Sequence, residues 1–205
     1  MLTARIAVLV SGGGTNLQAL MDARDRGEIP HGSLALVIAD KPGIRAIERA
    51  REGDIACAVI PRREPGFEDK VLTALRNYQI DMVVLAGFLG ILSADFIRRF
   101  PGPIINIHPS LIPAFCGKGF YGLKVHQAAL DYGVKVTGAT VHYVNEVPDG
   151  GKIILQRAVD ILPGDTAETL QRRVMEQAEW KLLPAAAERV AADVVAARAA
   201  SPAKE

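Results

Sequence analysis

Short aliphatic runs alternating with helix-period segments constrain this chain more than any other feature. The first run, Ile6-Ala7-Val8-Leu9-Val10, lies within residues 5–11 and stops at a glycine cluster. A continuous apolar run of this length reads as a strand buried on both faces, which places it in a parallel sheet. Leu17, Leu20 and Met21 then recur at helical spacing after Gly14. Residues 34–40 and 56–60 read as further strands, with a helix over 44–52 between them that turns Ile47 and Ala50 inward. A helix over 67–78 carries Val71, Leu72 and Leu75 on one side, and strands follow at 82–86 and 104–108. This order implies right-handed crossovers and a mostly parallel sheet with helices on both faces.

The pattern changes after residue 112. Residues 113–122 are glycine-rich and read as a surface loop, and 123–132 read as a helix. Residues 136–144 alternate with Thr, Val and Tyr, and pair with a strand at 153–159 across the turn Pro148-Asp149-Gly150-Gly151, an antiparallel C-terminal extension. Asp165 opens the last helix, with Glu168 at capping-box distance. Leu170, Val174, Ala178 and Leu182 continue one face, and Pro184 is expected to kink or break it. An alanine-rich helix over 185–200 then frays into 201–205. No repeat or linker interrupts the chain, so residues 1–205 read as one α/β domain.

The bulk numbers exclude several classes. A net charge of +1 points to no nucleic-acid or membrane partner. Cys57 and Cys116 form no metal or redox motif, and a reducing compartment is the plain reading. No basic-then-apolar leader opens the chain and no apolar run is long enough for a bilayer, so a soluble, cytoplasmic protein is expected.

Four places invite chemistry. The turn Ser11-Gly12-Gly13-Gly14-Thr15-Asn16 joins the first strand to the first helix, where free N–H groups attract anions and glycines let a phosphate approach. It is no P-loop, since no Gly-Lys-Ser/Thr follows, and Leu17 stands where a dinucleotide fingerprint needs its third glycine. The plain alternative is a tight turn with no ligand. Asn106 and His108 are two apart on a strand and share a face at its carboxyl end, where α/β ligands gather. An amide can bind a carbonyl oxygen that turns negative, and an imidazole carries protons near neutral pH. A lone histidine near a core strand is otherwise more often a satisfied structural residue. Asp149 sits among standard turn residues, and a hairpin turn explains it fully; beside His108, however, its carboxylate would favour the charged ring and hold its orientation. The segment Ala86-Gly87-Phe88-Leu89-Gly90-Ile91-Leu92 borders the same crevice, as a bland apolar loop or as a slot for a flat heteroaromatic ligand. His31 reads as a loop residue, His126 and His142 read as structural, and the four histidines show no metal-ligand spacing. Nothing in the sequence supplies a base for Cys116 as a nucleophile.

Asn106-Ile107-His108-Pro109-Ser110-Leu111-Ile112-Pro113 resembles the core motif of the folate-dependent formyltransferases, and Asp149-Gly150-Gly151 resembles an element the family carries some forty residues later. The glycine turn, residues 84–88 and residues 179–184 resemble the members that act on glycinamide ribonucleotide, so the likeness runs from about residue 5 to 184. The resemblance implies a single Rossmann-like domain that passes the formyl group of N10-formyltetrahydrofolate to the ribonucleotide's amine, in purine biosynthesis, with no metal. It places catalysis on Asn106, His108 and Asp149. It places the ribonucleotide on Gly13, Gly14, Thr15, Asn16 and Glu179. It places the folate on Leu89, Gly90, Ile91, Leu92 and Asn106, with Val144, Asn145, Glu146, Val147 and Pro148 around the pterin. Residues 1–100 would form the nucleotide-phosphate half and 101–205 the folate and catalytic half. The chain departs from the family pattern at Gly90, where an arginine is usual, at Lys124, where a histidine is frequent, and in a longer 116–121 loop. A folate-tail arginine would lie near residues 62–64.

Two rivals stay open at this level, beside the oligomeric state. A formyltetrahydrofolate hydrolase would share the core motif, although the family's hydrolases carry an added amino-terminal domain. A dinucleotide-binding protein would use Asp40, at the end of the second strand, to hold a ribose. That second reading leaves Asn106 and His108 without a use.

Overall fold

A computed structural model describes residues 2–200. The elements run in the order β1 (Ala4–Val10), α1 (Thr15–Asp25), β2 (Gly32–Ala39), α2 (Arg45–Glu52), β3 (Cys57–Val59), α3 (Phe67–Asn77), β4 (Met82–Leu85), α4 (Ala94–Arg99), β5 (Ile104–His108), α5 (Leu123–Tyr132), β6 (Val136–Tyr143), β7 (Ile153–Asp160), α6 (Ala167–Val174), a π-helical turn (Met175–Glu179) and α7 (Trp180–Ala200). The strands form one seven-stranded sheet in the order β3-β2-β1-β4-β5-β6-β7. β1 to β5 pair in parallel, whereas β6 runs antiparallel to both β5 and β7.

The alternation within β1 divides the core. Ile6, Val8 and Val10 face a layer built by α1, α2 and the C-terminal helices, while Ala7 and Leu9 face a layer built by α3 and α4. All five are fully buried, and burying a Val, Leu or Ile side chain contributes about 1.5–3 kcal/mol each. The sheet is therefore covered on both faces, as expected of parallel strands. The order reverses at β1: β2 and β3 lie on one side, β4 and β5 on the other. Ligands collect in the crevice at such a switch point, and here the carboxyl ends of β1, β4 and β5 meet.

Four local expectations change. The third strand shortens to Cys57–Val59, and α4 fills residues read as a connection. Ser93 caps α4 by accepting from the Phe96 N–H, and Glu68 in turn accepts from the Ser93 amide 2.7 Å away. Thr166, not Asp165, caps α6: its hydroxyl accepts from the Thr169 N–H while the Thr169 hydroxyl accepts from the Thr166 N–H. The Asp165 carboxylate is instead gripped by Arg173, at 2.6 Å for one pair, which holds it well below the ordinary carboxylate range. Pro184 neither ends nor splits the last helix, which runs through it from Trp180 to Ala200. A π turn lies directly upstream of this helix, at Met175–Glu179. The expected fraying over 201–205 lies outside the described residues. Among the described residues no helix is long and apolar enough to cross a membrane.

Candidate active site

A cleft of about 630 Å³ opens at the carboxyl ends of β1, β4 and β5. Its floor is the β5 residues Asn106 and His108; the hairpin turn between β6 and β7 brings Asp149 over them. Asp149 holds a left-handed backbone (φ 55°), a strained conformation typical of functional turns.

Asp149 is the hub of the cluster. Its Oδ2 accepts from the Gly117 N–H at 2.8 Å and lies 3.6 Å from His108 Nδ1. Its Oδ1 accepts from Asn106 Nδ2 at 3.4 Å and lies 3.5 Å from His142 Nε2. Burial alone would raise this carboxyl, but the contact with His142, the charge of His108 and the Gly117 N–H outweigh it and hold it below the usual range. Asp149 is therefore an anion at neutral pH. His108 Nε2 faces the Phe115 carbonyl at 2.9 Å, so that nitrogen carries a hydrogen and Nδ1 is turned to the carboxylate. A protonated ring would find an acceptor at each end.

His142, read as structural, belongs to this cluster. It stands directly across from Asn106 in the antiparallel ladder, and so shares its face. Its Nδ1–H donates to the Tyr143 carbonyl at 2.9 Å, and its Nε2 lies 3.2 Å from Asn106 Nδ2 and 3.5 Å from Asp149 Oδ1: bare, that nitrogen accepts from the amide; protonated, it donates to the carboxylate. The side-chain amide is thus oriented from two sides. Thr140, opposite His108, donates to the Ser110 carbonyl at 2.6 Å and accepts from the Ile112 N–H, which fixes the chain as it leaves β5. His126 also lines the cleft, where burial, and then the charge of His108, push its imidazole down to about 4. His142 could not be placed without knowing how the strands pair, nor His126, on α5, without knowing how that helix packs.

The glycine turn forms the other end. Gly13, Thr15 and Asn16 line the cleft, while Gly14 lies beneath as the left-handed residue (φ 73°) that starts α1. A Cβ on Gly14 would stand 2.8 Å from that of Ala46, so only glycine fits. No side chain caps α1 and no acidic residue sits in its first turn. The buried Asn16 donates to Glu179 Oε2 at 3.0 Å, and its Oδ1 has no partner. Burial outweighs that bond and pushes the Glu179 carboxyl up to about 7.

The long walls complete the cleft. Leu89, Gly90, Ile91 and Leu92 line one side, and Val144, Asn145, Glu146, Val147 and Pro148 the other. Leu89, Ile91 and Val147 are exposed apolar side chains at its mouth, a surface suited to a flat ligand. At position 90 a Cβ would meet the Phe88 ring at 2.6 Å and Arg62 Cδ at 3.1 Å, which accounts for glycine there. Asp40 does not point to a ribose. Its buried carboxylate accepts from the Ser11 hydroxyl at 2.8 Å and faces Arg62, and Ser11 in turn accepts from the Leu89 N–H.

The model of the formyl transferase family matches residues 4–187. The chain belongs to the formyl transferase family. It is 41% identical over 184 residues to phosphoribosylglycinamide formyltransferase of Haemophilus influenzae, covering 88% of this chain and 84% of that one. It is 42% identical over 197 residues to the trifunctional purine biosynthetic protein adenosine-3 of Bos taurus, covering 94% of this chain but only 19% of that protein. The crystal structure of glycinamide ribonucleotide transformylase 1 from Symbiobacterium toebii superposes with a TM-score of 0.85 at 39% identity, over 93% of this chain and 89% of that chain. The fold is thus shared with known formyltransferases.

Proposed function

We propose that this formyltransferase moves the formyl group of N10-formyltetrahydrofolate to the amine of 5'-phosphoribosylglycinamide, a step of purine biosynthesis in the cytoplasm. The observation that carries the reading is the convergence of Asn106, His108 and His142 on Asp149, one cleft-length from an uncapped helix start. In it, Gly13, Gly14, Thr15, Asn16 and Glu179 hold the ribonucleotide, and residues 89–92 and 144–148 hold the folate. The folate supplies the formyl carbon. The Asn16–Glu179 hydrogen bond joins the amino-terminal, phosphate-binding half to the carboxyl-terminal half.

The chemistry asks three things of the chain. As the amine nitrogen bonds to the formyl carbon, charge grows on the formyl oxygen, and Asn106 Nδ2 and the Nδ1–H of a protonated His108, which Asp149 holds only at 3.6 Å, donate to it. Asp149 keeps the His108 ring oriented and its charged form compensated. Asp149 also positions a water that takes the proton from the attacking nitrogen and returns it to N10 as the carbon–N10 bond breaks. Preorganised donors of this kind are worth about 10²–10³ in rate each.

An assay with formyl folate and glycinamide ribonucleotide tests the reading, beside one arm without acceptor and one with charged initiator tRNA. Tetrahydrofolate release that requires the ribonucleotide, with the formylated product seen by mass spectrometry, is expected. Release without any acceptor would identify a hydrolase, and silence from folded protein would overturn the proposal.

A further inference from the structure

The glycine turn owes its shape to a neighbour on another helix. Each of its three glycine carbonyls is turned away from the cleft and engaged. Gly12 accepts from the Ala46 N–H at 3.3 Å, Gly13 from Arg49 Nε at 2.9 Å, and Gly14 from the Gln18 N–H at 2.9 Å. No side chain caps α1 among the described residues, so its first N–H groups are free to receive an anion, and the engaged carbonyls do not compete with it. A second, independent feature at the same turn calls for a ligand: the buried Asn16 Oδ1 has no donor among the described residues, and a hydroxyl carried beside the phosphate would supply one.

Arg49 does more than close a hydrogen bond. Its Nη1 donates to Gln18 Oε1 at 2.7 Å, and Gln18 donates in turn to Asp22, so the guanidinium is braced against α1. Among the described residues, no carboxylate stands within ion-pair distance of it, although Arg45 on the same helix pairs with Glu48 and Glu52. The side chain is half-buried and lines, with Thr15 and Gln18, a cavity of about 460 Å³ along α1. A braced cation with no direct ion pair among the described residues therefore sits beside the turn and within reach of solvent, in a cavity that Asp22 and Glu176 also line.

We infer that Arg49 is the positioning residue for phosphate recognition: its Nε–H holds the Gly13 carbonyl reversed, and its unpaired charge adds to the attraction of the exposed N–H groups for a phosphomonoester. The inference rests on the ribonucleotide reading of this end of the cleft. A fork is needed rather than a point charge, because one N–H must grip the turn while the rest of the group stays charged and oriented.

Arg49→Met and Arg49→Lys test this in two assays, steady-state transfer and calorimetric titration with ribose 5-phosphate. Losing a charge-assisted contact predicts that Arg49→Met raises both the KM for the ribonucleotide and the Kd for ribose 5-phosphate by roughly 10- to 100-fold. The kcat and the KM for the folate stay within about twofold, and Arg49→Lys recovers part of the loss. A ribose 5-phosphate Kd unchanged in Arg49→Met overturns the inference. So does a fall in kcat together with a rise in both KM values, which a general structural defect would produce. Thermal melting checks each fold; should the Met variant unfold, the Lys variant decides, with a several-fold weaker Kd supporting the inference and an unchanged one refuting it. If ribose 5-phosphate binds through Arg49 while no formyl group moves in the wild type, the functional reading fails and the Arg49 assignment stands.

Discussion

The two ends of the cleft are built to different tolerances. At the glycine turn the bonds are short: Ser11 to Asp40 at 2.8 Å, Leu89 to Ser11 at 2.9 Å, Arg49 to Gly13 at 2.9 Å. At the Asp149 end the anchors to backbone are as short, Gly117 to Asp149 at 2.8 Å and His108 to the Phe115 carbonyl at 2.9 Å, but the contacts between the side chains themselves are long: Asn106 to His142 at 3.2 Å, Asn106 to Asp149 at 3.4 Å, His108 to Asp149 at 3.6 Å. Hydrogen bonds weaken steeply beyond about 3.2 Å. The first end spends most of its polar groups on rigidity and offers backbone N–H groups, the unpartnered Asn16 Oδ1 and the nearby charge of Arg49. The second keeps side-chain donors under-used and close together, so a reacting oxygen can take them over without breaking a strong bond. The stiff end suits recognition of a fixed anion, the loose end suits charge that exists only during reaction.

The sharpest way to break this comparison is His108→Ala. Removing the imidazole at the loose end should lower turnover by roughly 10²- to 10⁴-fold. Because its contacts with Asp149 and the Phe115 carbonyl are few, the melting temperature should stay close to wild type. Single-turnover rates and a thermal melt on the same preparation check both halves. Near wild-type rates in a folded variant would remove His108 from the mechanism.

Gly14→Ala should show the opposite balance. A left-handed alanine with its Cβ 2.8 Å from that of Ala46 must push α2 away from the turn. Strain and overpacking together predict about 2–4 kcal/mol of lost stability in urea unfolding. Turnover at saturating ribonucleotide should fall far less than in His108→Ala. If Gly14→Ala unfolds at the wild-type urea concentration, the turn is not the stiff end.

How much of this could be read from residues alone follows the same division. β1 and its parallel partners announce themselves, because strands buried on both faces must be continuous apolar runs. The glycine turn and the Asn106–His108 pair were legible for a local reason, a turn after a strand and a two-residue period. His142 was not, because its role depends on the ladder that sets it across from Asn106, and pairing is a non-local property. Asp149 resembled a turn residue in every local respect; it stood out as a possible partner of His108, and family likeness raised it to a catalytic position. The short α4 rests on Glu68, far away in sequence, and Thr166 took the cap of α6 because Arg173 had claimed Asp165. Pro184 misled because a proline rule is local, and here the helix runs through the ring.

His142→Phe refines the loose end. The substitution keeps volume but removes the acceptor that orients the Asn106 amide. Losing one net hydrogen bond's worth of orientation should slow transfer by about tenfold, with little change in either KM. A pH profile of kcat that keeps its wild-type shape would place His142 as a positioning residue. A profile that loses a limb would make the ring itself a proton carrier, and a rate equal to wild type would show that Asn106 needs no second anchor.

The smallest effect concerns the one soft element in the stiff end. Glu179 is buried with only the Asn16 amide as donor, and its carboxyl holds a proton up to about 7 against an ordinary value of 4.5. The sign follows from linkage. Below about pH 4.5 both folded and unfolded chains carry the proton; between there and about 7 the unfolded chain ionises first. This group's stabilisation is therefore complete at low pH and is lost as pH rises through that window. Glu179→Gln keeps the shape of the neutral acid and cannot ionise. Its melting curve should match wild type near pH 4.5 and lie a few degrees above it at pH 8. Melting temperatures that differ by the same amount across that range would mean that Glu179 ionises in the folded protein much as it does in water. The Asn16 bond would then outweigh burial, and the turn end would be stiff throughout.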